Sequence, residues 1–175
     1  MSVQRWVQGC AALCLLFALT GCTTGRDLAF EIIDSRDTAP GDICGDEPGL
    51  FVITRPEEIP SSDLEMHGHG DLSGHLRALD YGRQFAVAVC RGVMPARNPS
   101  LIPDVRQITR YGDEVVVRAH FRNAKSVLSK EGGEPALALP YQLAVVTKEG
   151  EWGQDVHFVL QVDGKEVQER TVFVP

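Results

Sequence analysis

The sequence predicts a mainly β domain, an antiparallel β-sandwich or open barrel of about eight strands with one or two short helices. Three stretches carry that prediction. Phe85-Ala86-Val87-Ala88-Val89-Cys90 is apolar on both alternating faces, as a strand covered on both sides must be. Glu114–Phe121 alternates Val115, Val117, Ala119 and Phe121 with Val116, Arg118 and His120, the pattern of a strand with one partly wet face. Near the C-terminus, Asp163-Gly164 separates the strand-like runs Val156–Val162 and Lys165–Val174 and is the dipeptide best suited to a type I′ hairpin turn.

The remaining elements follow in chain order. Thr23–Asp27 reads as a short polar tether, and Leu28–Ile33 as the first strand, with Leu28, Phe30 and Ile32 on one side. Ser35–Gly49 is rich in Asp, Gly and Pro, so it is loop, and it holds Cys44. Leu50–Thr54 is a second apolar strand. The Arg55–Ile59 stretch after it suits a single helical turn, with Pro56 at its first position, Glu57 and Glu58 in the first turn, and Pro60 as the stop. Leu72–Leu79 predicts a short helix with Leu72, Leu76 and Leu79 on one side. The small-residue face of Phe85–Cys90 predicts close approach by a helix or a second sheet. Gly92–Pro103, with three prolines, is a long loop. Val105–Thr109 pairs with Glu114–Phe121 around Arg110–Asp113, Asn123–Ala136 is loop, and Tyr141–Thr147 is a strand preceded by Pro140. In the final hairpin, setting Leu160 opposite Val167 also sets Phe158 opposite Glu169. That conflict calls for a bulge near Gln168 or a partly exposed edge.

Ahead of the domain, an apolar run from Ala11 to Leu19 follows Arg5, and no acidic residue precedes Asp27. The run is shorter than the roughly 20 residues a membrane-spanning helix needs, and its charged front and small-residue exit fit an export signal. The stretch closing it, Leu19-Thr20-Gly21-Cys22, resembles the lipobox of bacterial lipoproteins. The resemblance implies cleavage before Cys22, a diacylglyceryl group on its thiol and acylation of its amine. Residues 1–21 are then signal peptide, 22–27 lipidated cysteine and tether, and 28–175 a single β-rich domain. Two or more acyl chains hold a protein to a bilayer essentially permanently. Thr23, where many inner-membrane lipoproteins carry Asp, favours the outer membrane if the host has two membranes.

Cleavage leaves 154 of the 175 residues, enough for one domain with a proper core. The signal removes Arg5 and no acid, so the remainder is one charge more negative than the −7 of the whole chain. That balance argues against nucleic acid as a partner, since phosphate binding needs a concentrated basic patch. Of the five cysteines, Cys10 and Cys14 leave with the signal and Cys22 carries lipid. Cys44 and Cys90 remain, in an oxidation-permissive compartment, either as a disulfide or as two thiols of which Cys90 is buried.

From Leu50 to Val146 the order of features resembles the carboxy-terminal domain family named after PrcB, a small lipoprotein subunit of a bacterial surface protease complex. The resemblance rests on Phe51-Val52-Ile53-Thr54 before Pro56-Glu57-Glu58, Leu79-Asp80-Tyr81 leading into Phe85–Val89, and Gly92. It continues through Val105–Ile108, Gly112-Asp113, Val115-Val116-Val117 and Leu139-Pro140-Tyr141-Gln142-Leu143. Where family members tend to carry a Gly-Gly-Tyr-like element, this chain has Ala96-Arg97-Asn98-Pro99-Ser100, and the hairpin from Val156 onward lies outside the match. The resemblance implies a non-catalytic, envelope-anchored interaction module, an accessory of an extracytoplasmic protease.

Two stretches are candidates for chemistry or recognition. In extended chain His67, His69 and Asp71 project to one side, with His75 further on, so imidazoles and a carboxylate could meet one Zn²⁺ or Cu²⁺; the alternative is a solvated Gly-rich loop. In the loop Gly92–Pro103, Met94, Pro95, Arg97, Asn98, Leu101 and Ile102 form a candidate partner-binding segment whose prolines lower the entropy cost of docking. Its apolar members could equally pack down on the sheet edge. No nucleophile elbow, zincin helix, phosphate loop or CxxC motif is present, so the expectation is a protein with no catalytic activity and no cofactor. Its expected partners are the membrane, through Cys22, and another envelope protein.

Overall fold

The computed structural model describes residues 24–37, 39, 43–59, 72–95, 101–122 and 137–175. Among them the strands are, in chain order, β1 (Arg26–Asp27), β2 (Phe30–Arg36), β3 (Gly49–Ile53), β4 (Gln84–Cys90), β5 (Met94–Pro95) and β6 (Asp104–Tyr111). They continue with β7 (Glu114–His120), β8 (Leu137–Ala138), β9 (Tyr141–Thr147), β10 (Gln154–Val162) and β11 (Lys165–Val174). Among the described residues there are also a 3-10 turn, Pro56–Glu58, and a short helix, α1 (Leu72–Arg77). The mainly β prediction holds, in the sandwich form and not as a closed barrel.

One sheet has the order β1-β6-β7-β10-β11 and the other β2-β9-β4-β3. Phe85, Val87 and Val89 of β4 face Ile108, Val115, Val117, Phe158 and Leu160 of the five-stranded sheet, and this is the main core. The opposite, small face of β4, Ala86, Ala88 and Cys90, lies under Leu72 and Leu76 of α1 together with Ile43, Ile59 and Tyr81. Small side chains let the helix come close, as the sequence predicts. Tyr81 donates its hydroxyl to the Leu76 carbonyl at 2.9 Å, fixing the end of the helix, and burial pushes its pKa up to about 12.

At Leu28 the chain passes from one sheet to the other, joining the edge strands β1 and β2 and closing that side of the sandwich. Arg26 and Asp27, expected as tether, pair with Arg110 and Thr109 of β6. Leu28 is expected inside the first strand; it instead donates its N–H to the Ile108 carbonyl at 2.8 Å and buries its side chain between the sheets. From Phe30 the chain belongs to the other sheet, paired with β9, and the strand runs on to Arg36 through a bulge at Ile33. Past the bulge, the Asp34 carboxylate accepts the hydroxyl of buried Tyr141 and the Arg36 Nε–H at 2.9 Å. Burial, together with the Asp34 carboxylate, drives the Tyr141 pKa above the ordinary tyrosine range.

β7 and β10 pair in parallel, Val115 opposite Phe158 and Val117 opposite Leu160, because the chain crosses through β9 of the opposite sheet between them. The final hairpin turns at Asp163 (φ 52°) and Gly164 (φ 80°), both left-handed, as a type I′ turn requires. Its register conflict is resolved by a bulge: Leu160 faces Gln168 and Gln161 faces Glu166, leaving Val167 unpaired. β11 is also largely exposed, so both of the expected remedies are used.

Strand directions define two ends of the sandwich. The entry end carries Thr24, Gly25, the 112–113 turn and the 148–153 loop. The far end carries Cys90, β5, β8, His120 and the 163–164 turn.

Candidate interaction surface

The far end is organised by the residue after β4. By alternation Arg91 continues the Phe85, Val87, Val89 face, which carries its side chain into the top of the inter-sheet core. Only 8% of it is exposed. Its guanidinium donates to the Leu101 carbonyl at 3.1 Å and to the Arg122 carbonyl at 2.6 Å, and it lies 5.2 Å from the centre of the Phe121 ring. Burial draws its pKa down from the ordinary arginine value, a shift opposed by Asp163. The backbone N–H of Arg91 donates to the Pro140 carbonyl at 2.9 Å. One residue therefore joins the ends of four segments. The sequence reading did not single it out, although an arginine in phase with a fully apolar strand face is the signal that finds it.

Immediately beside it, Cys44 and Cys90 form a disulfide with their Cα atoms 5.5 Å apart, within ordinary bridge geometry. Of the two states left open by the sequence, the disulfide is the one found. Gly92 follows at φ 82°, where a Cβ would stand 2.5 Å from the Asp46 carbonyl oxygen, and the Val93 N–H donates to that same oxygen at 2.9 Å. Only glycine allows the two strand ends to approach this closely.

On this base stands a two-stranded ribbon, Met94 paired with Ala138 and Pro95 with Leu137. Met94 is half-buried, Pro95 is exposed, and Leu137 is 69% exposed. Leu101 is buried and Ile102 half-buried. The candidate loop thus divides: Leu101 packs down and offers nothing to a partner, while Pro95 and Met94 remain at the surface. Arg97 and Asn98 lie outside the described residues. Leu137 was not singled out from sequence, because its exposure depends on a pairing between segments more than forty positions apart.

Beside the ribbon, the turn residue Asp163 is clasped by His120, Nδ1 to Oδ1 at 2.5 Å. The hydrogen bond from His120 holds the Asp163 carboxyl below the usual carboxylate range. His157 lies on the wet face of the five-stranded sheet, its Nε2 3.3 Å from Glu169. On the same face Asp27 accepts hydrogen bonds from Thr109 Oγ1 and Gln107 Nε2, both at 2.8 Å. Arg118 in turn donates to Thr109 Oγ1 at 3.0 Å, and to Gln107 Oε1 and the Tyr111 hydroxyl, each at 3.3 Å. The network ties the two-residue strand β1 to its sheet.

Of the other sequence candidates, Cys22, His67, His69 and Asp71 lie outside the described residues, and His75 is exposed on α1. Among the described residues no group of three or more His, Cys, Asp or Glu side chains is placed to hold a metal ion. No helix among them is long and apolar enough to cross a membrane. Comparison with protein-family models, curated proteins and solved structures gives no match to this chain.

Proposed function

We propose that this chain is an envelope lipoprotein, anchored through Cys22, whose β-sandwich is a non-catalytic module that binds another envelope protein through its far end. The observation that carries the reading is Leu137, 69% exposed on a ribbon whose base is held by Arg91 and the Cys44–Cys90 disulfide. An exposed apolar side chain on an immobilised base loses little freedom when a partner covers it. The disulfide supports export, since such bridges persist in oxidising compartments. The resemblance to the PrcB carboxy-terminal family makes an extracytoplasmic protease the first partner to test, and Thr23 directs the anchored form to the outer membrane in a host with two membranes.

The test is site-specific photocrosslinking in the native envelope, with the photoreactive amino acid at Leu137 and, as control, at exposed Glu57 near the entry end. A discrete adduct from position 137 alone supports the reading. Its absence from position 137 removes the proposed surface. Recovery of the wild-type protein in the soluble fraction after membrane sedimentation removes the anchor.

A further inference from the structure

We propose that the entry end of the sandwich is a membrane-contacting face, seated directly on phospholipid headgroups so that the far end points away from the bilayer. The inference rests on lipidation of Cys22 and adds an orientation that lipidation alone does not supply.

Tether length carries it. The chain is already committed to the domain at Gly25, which passes over the Tyr111 ring so closely that a Cβ there would stand 2.2 Å from a ring carbon. Arg26 and Asp27 are then paired with β6, and Asp27 is held by Thr109 and Gln107. Only Thr23 and Thr24 separate Cys22 from Gly25. Three residue steps span at most ~11 Å when fully extended. Acyl chains on Cys22 lie in the hydrocarbon, beneath a headgroup layer of roughly 5–8 Å. Almost no chain is left to hold the domain away from the surface.

The entry end has the composition such a position needs. Arg26 pairs with Glu149, and Arg110 stacks 4.0 Å from the centre of the Trp152 ring, whose Nε1–H donates to the Glu149 carbonyl at 3.2 Å. Tyr111 and half-buried Trp152 are the amphipathic rings favoured at headgroup depth. Arg26, Arg110 and Lys148 are interspersed with Asp113, Glu149 and Glu151. This mixed charge suits zwitterionic headgroups, with the tether and not a basic patch holding the face down.

Trp152 makes the test direct. The only other tryptophan is Trp6, in the signal segment, and with Cys44 and Cys90 bridged, Cys22 is the single thiol of the chain from Cys22 onward. That chain contains every described residue. It is coupled through Cys22 to a diacylglycerol bearing a maleimide directly on its glycerol, in phosphatidylcholine vesicles, which sets the thiol beneath the headgroups as a diacylglyceryl thioether would, so the geometry is tested whether or not the cell lipidates Cys22. A nitroxide on a lipid headgroup is expected to quench Trp152 emission by roughly half or more, and a nitroxide deep in the acyl chain much less. A flexible Gly/Ser insert of about 15 residues between Thr23 and Thr24, with a root-mean-square span of about 20 Å, is expected to abolish the headgroup quenching. A far-end reporter, Lys165→Trp in a Trp152→Phe background, is expected to remain unquenched, because the strands separate it from the entry end by roughly 25 Å. Equal quenching with and without the insert, no quenching with the native tether, or quenching of the far-end reporter overturns the proposal. Mass analysis of the Cys22 peptide from native membranes addresses the other premise: an unmodified Cys22 overturns the lipid anchor, whatever the vesicle result.

Discussion

Gln168 and Leu50 are joined across the open edge of the sandwich: the Gln168 side-chain carbonyl accepts the Leu50 N–H, and Arg170 Nη1 donates to the Leu50 carbonyl at 3.2 Å. β3 is the last strand of its sheet and β11 the last of the other, so side chains here replace the missing ladder. The bulge at Val167 sets the phase that brings Gln168 and Arg170 to Leu50. A bare strand edge invites pairing with another chain, and these two side chains cover it.

Gln168→Ala is therefore expected to uncover the part-buried Leu50 N–H at the sheet edge, at a cost of about 1 kcal/mol for the lost hydrogen bond. Urea unfolding measures the loss. Light scattering of the folded variant should show more self-association than wild type, and unchanged values in both would mean that the edge is protected by other means.

Arg91→Met keeps most of the side-chain volume but removes both donors, leaving the Leu101 and Arg122 carbonyls unpaired. The expected destabilisation is roughly 2–4 kcal/mol, given that hydrogen bonds to charged groups are worth about 1.5–3 kcal/mol each. Amide exchange should accelerate first around Leu101 and Phe121, well before the β4 interior is affected.

Acid sensitivity is expected to be traceable to Asp27. Hydrogen bonds from Thr109 and then Gln107 hold its carboxyl below its ordinary value of 3.8, aided by Arg118. A carboxyl depressed in the folded state contributes stability above its ordinary pKa, and loses it as pH falls through the lower, folded value. Docking of β1 should thus be constant near neutrality and weaken below about pH 4. In Asp27→Asn the amide protection of Leu28 should be lower at neutral pH and should no longer fall in step with protonation at this site. Asp163 is depressed too, by His120, and provides an independent titration at the far end.

Removing the disulfide by Cys44→Ala with Cys90→Ala is expected to cost up to about 4 kcal/mol, from the chain entropy of a loop closed across 46 positions. Thermal unfolding of the two forms reads the difference directly. Wild-type protein from Cys22 onward, unfolded without reductant, should titrate one thiol if Cys22 is unmodified and none if it is lipidated.

Local periodicity made much of the fold legible. Phe85–Cys90 declares burial on both faces, Tyr141–Thr147 is found with the bounds its sequence suggests, and Asp163-Gly164 identifies the hairpin by its left-handed requirement alone. Pairing across the chain is another matter. Nothing near Val115 or Phe158 announces that they become parallel neighbours, because the partner is chosen by how two sheets fill a common core. Arg26 and Asp27 look like tether because two polar residues carry no strand pattern; their pairing depends on Thr109 and Gln107, which are far away in sequence. At the candidate surface the sequence from Gly92 to Pro103 reads as one loop, whereas Met94–Pro95 is strand, and neither the inward turn of Leu101 nor the exposure of Leu137 is legible. Both follow from where Arg91 and the short ribbon fix the backbone.

The passage of the chain from β1 into β2 through Leu28 also determines how the domain would bear tension. Pulling on residue 24 against the far end draws β2 lengthwise along β9, so its ladder from Phe30–Val146 to Arg36–Tyr141 is strained in shear, many hydrogen bonds at once, and is not peeled one bond at a time. Beyond Arg36 the strain passes through Cys44 to Cys90 and so into β4, the strand with the most complete burial. A pull on the N-terminal segment is thereby delivered along a covalent route to the centre of the sandwich.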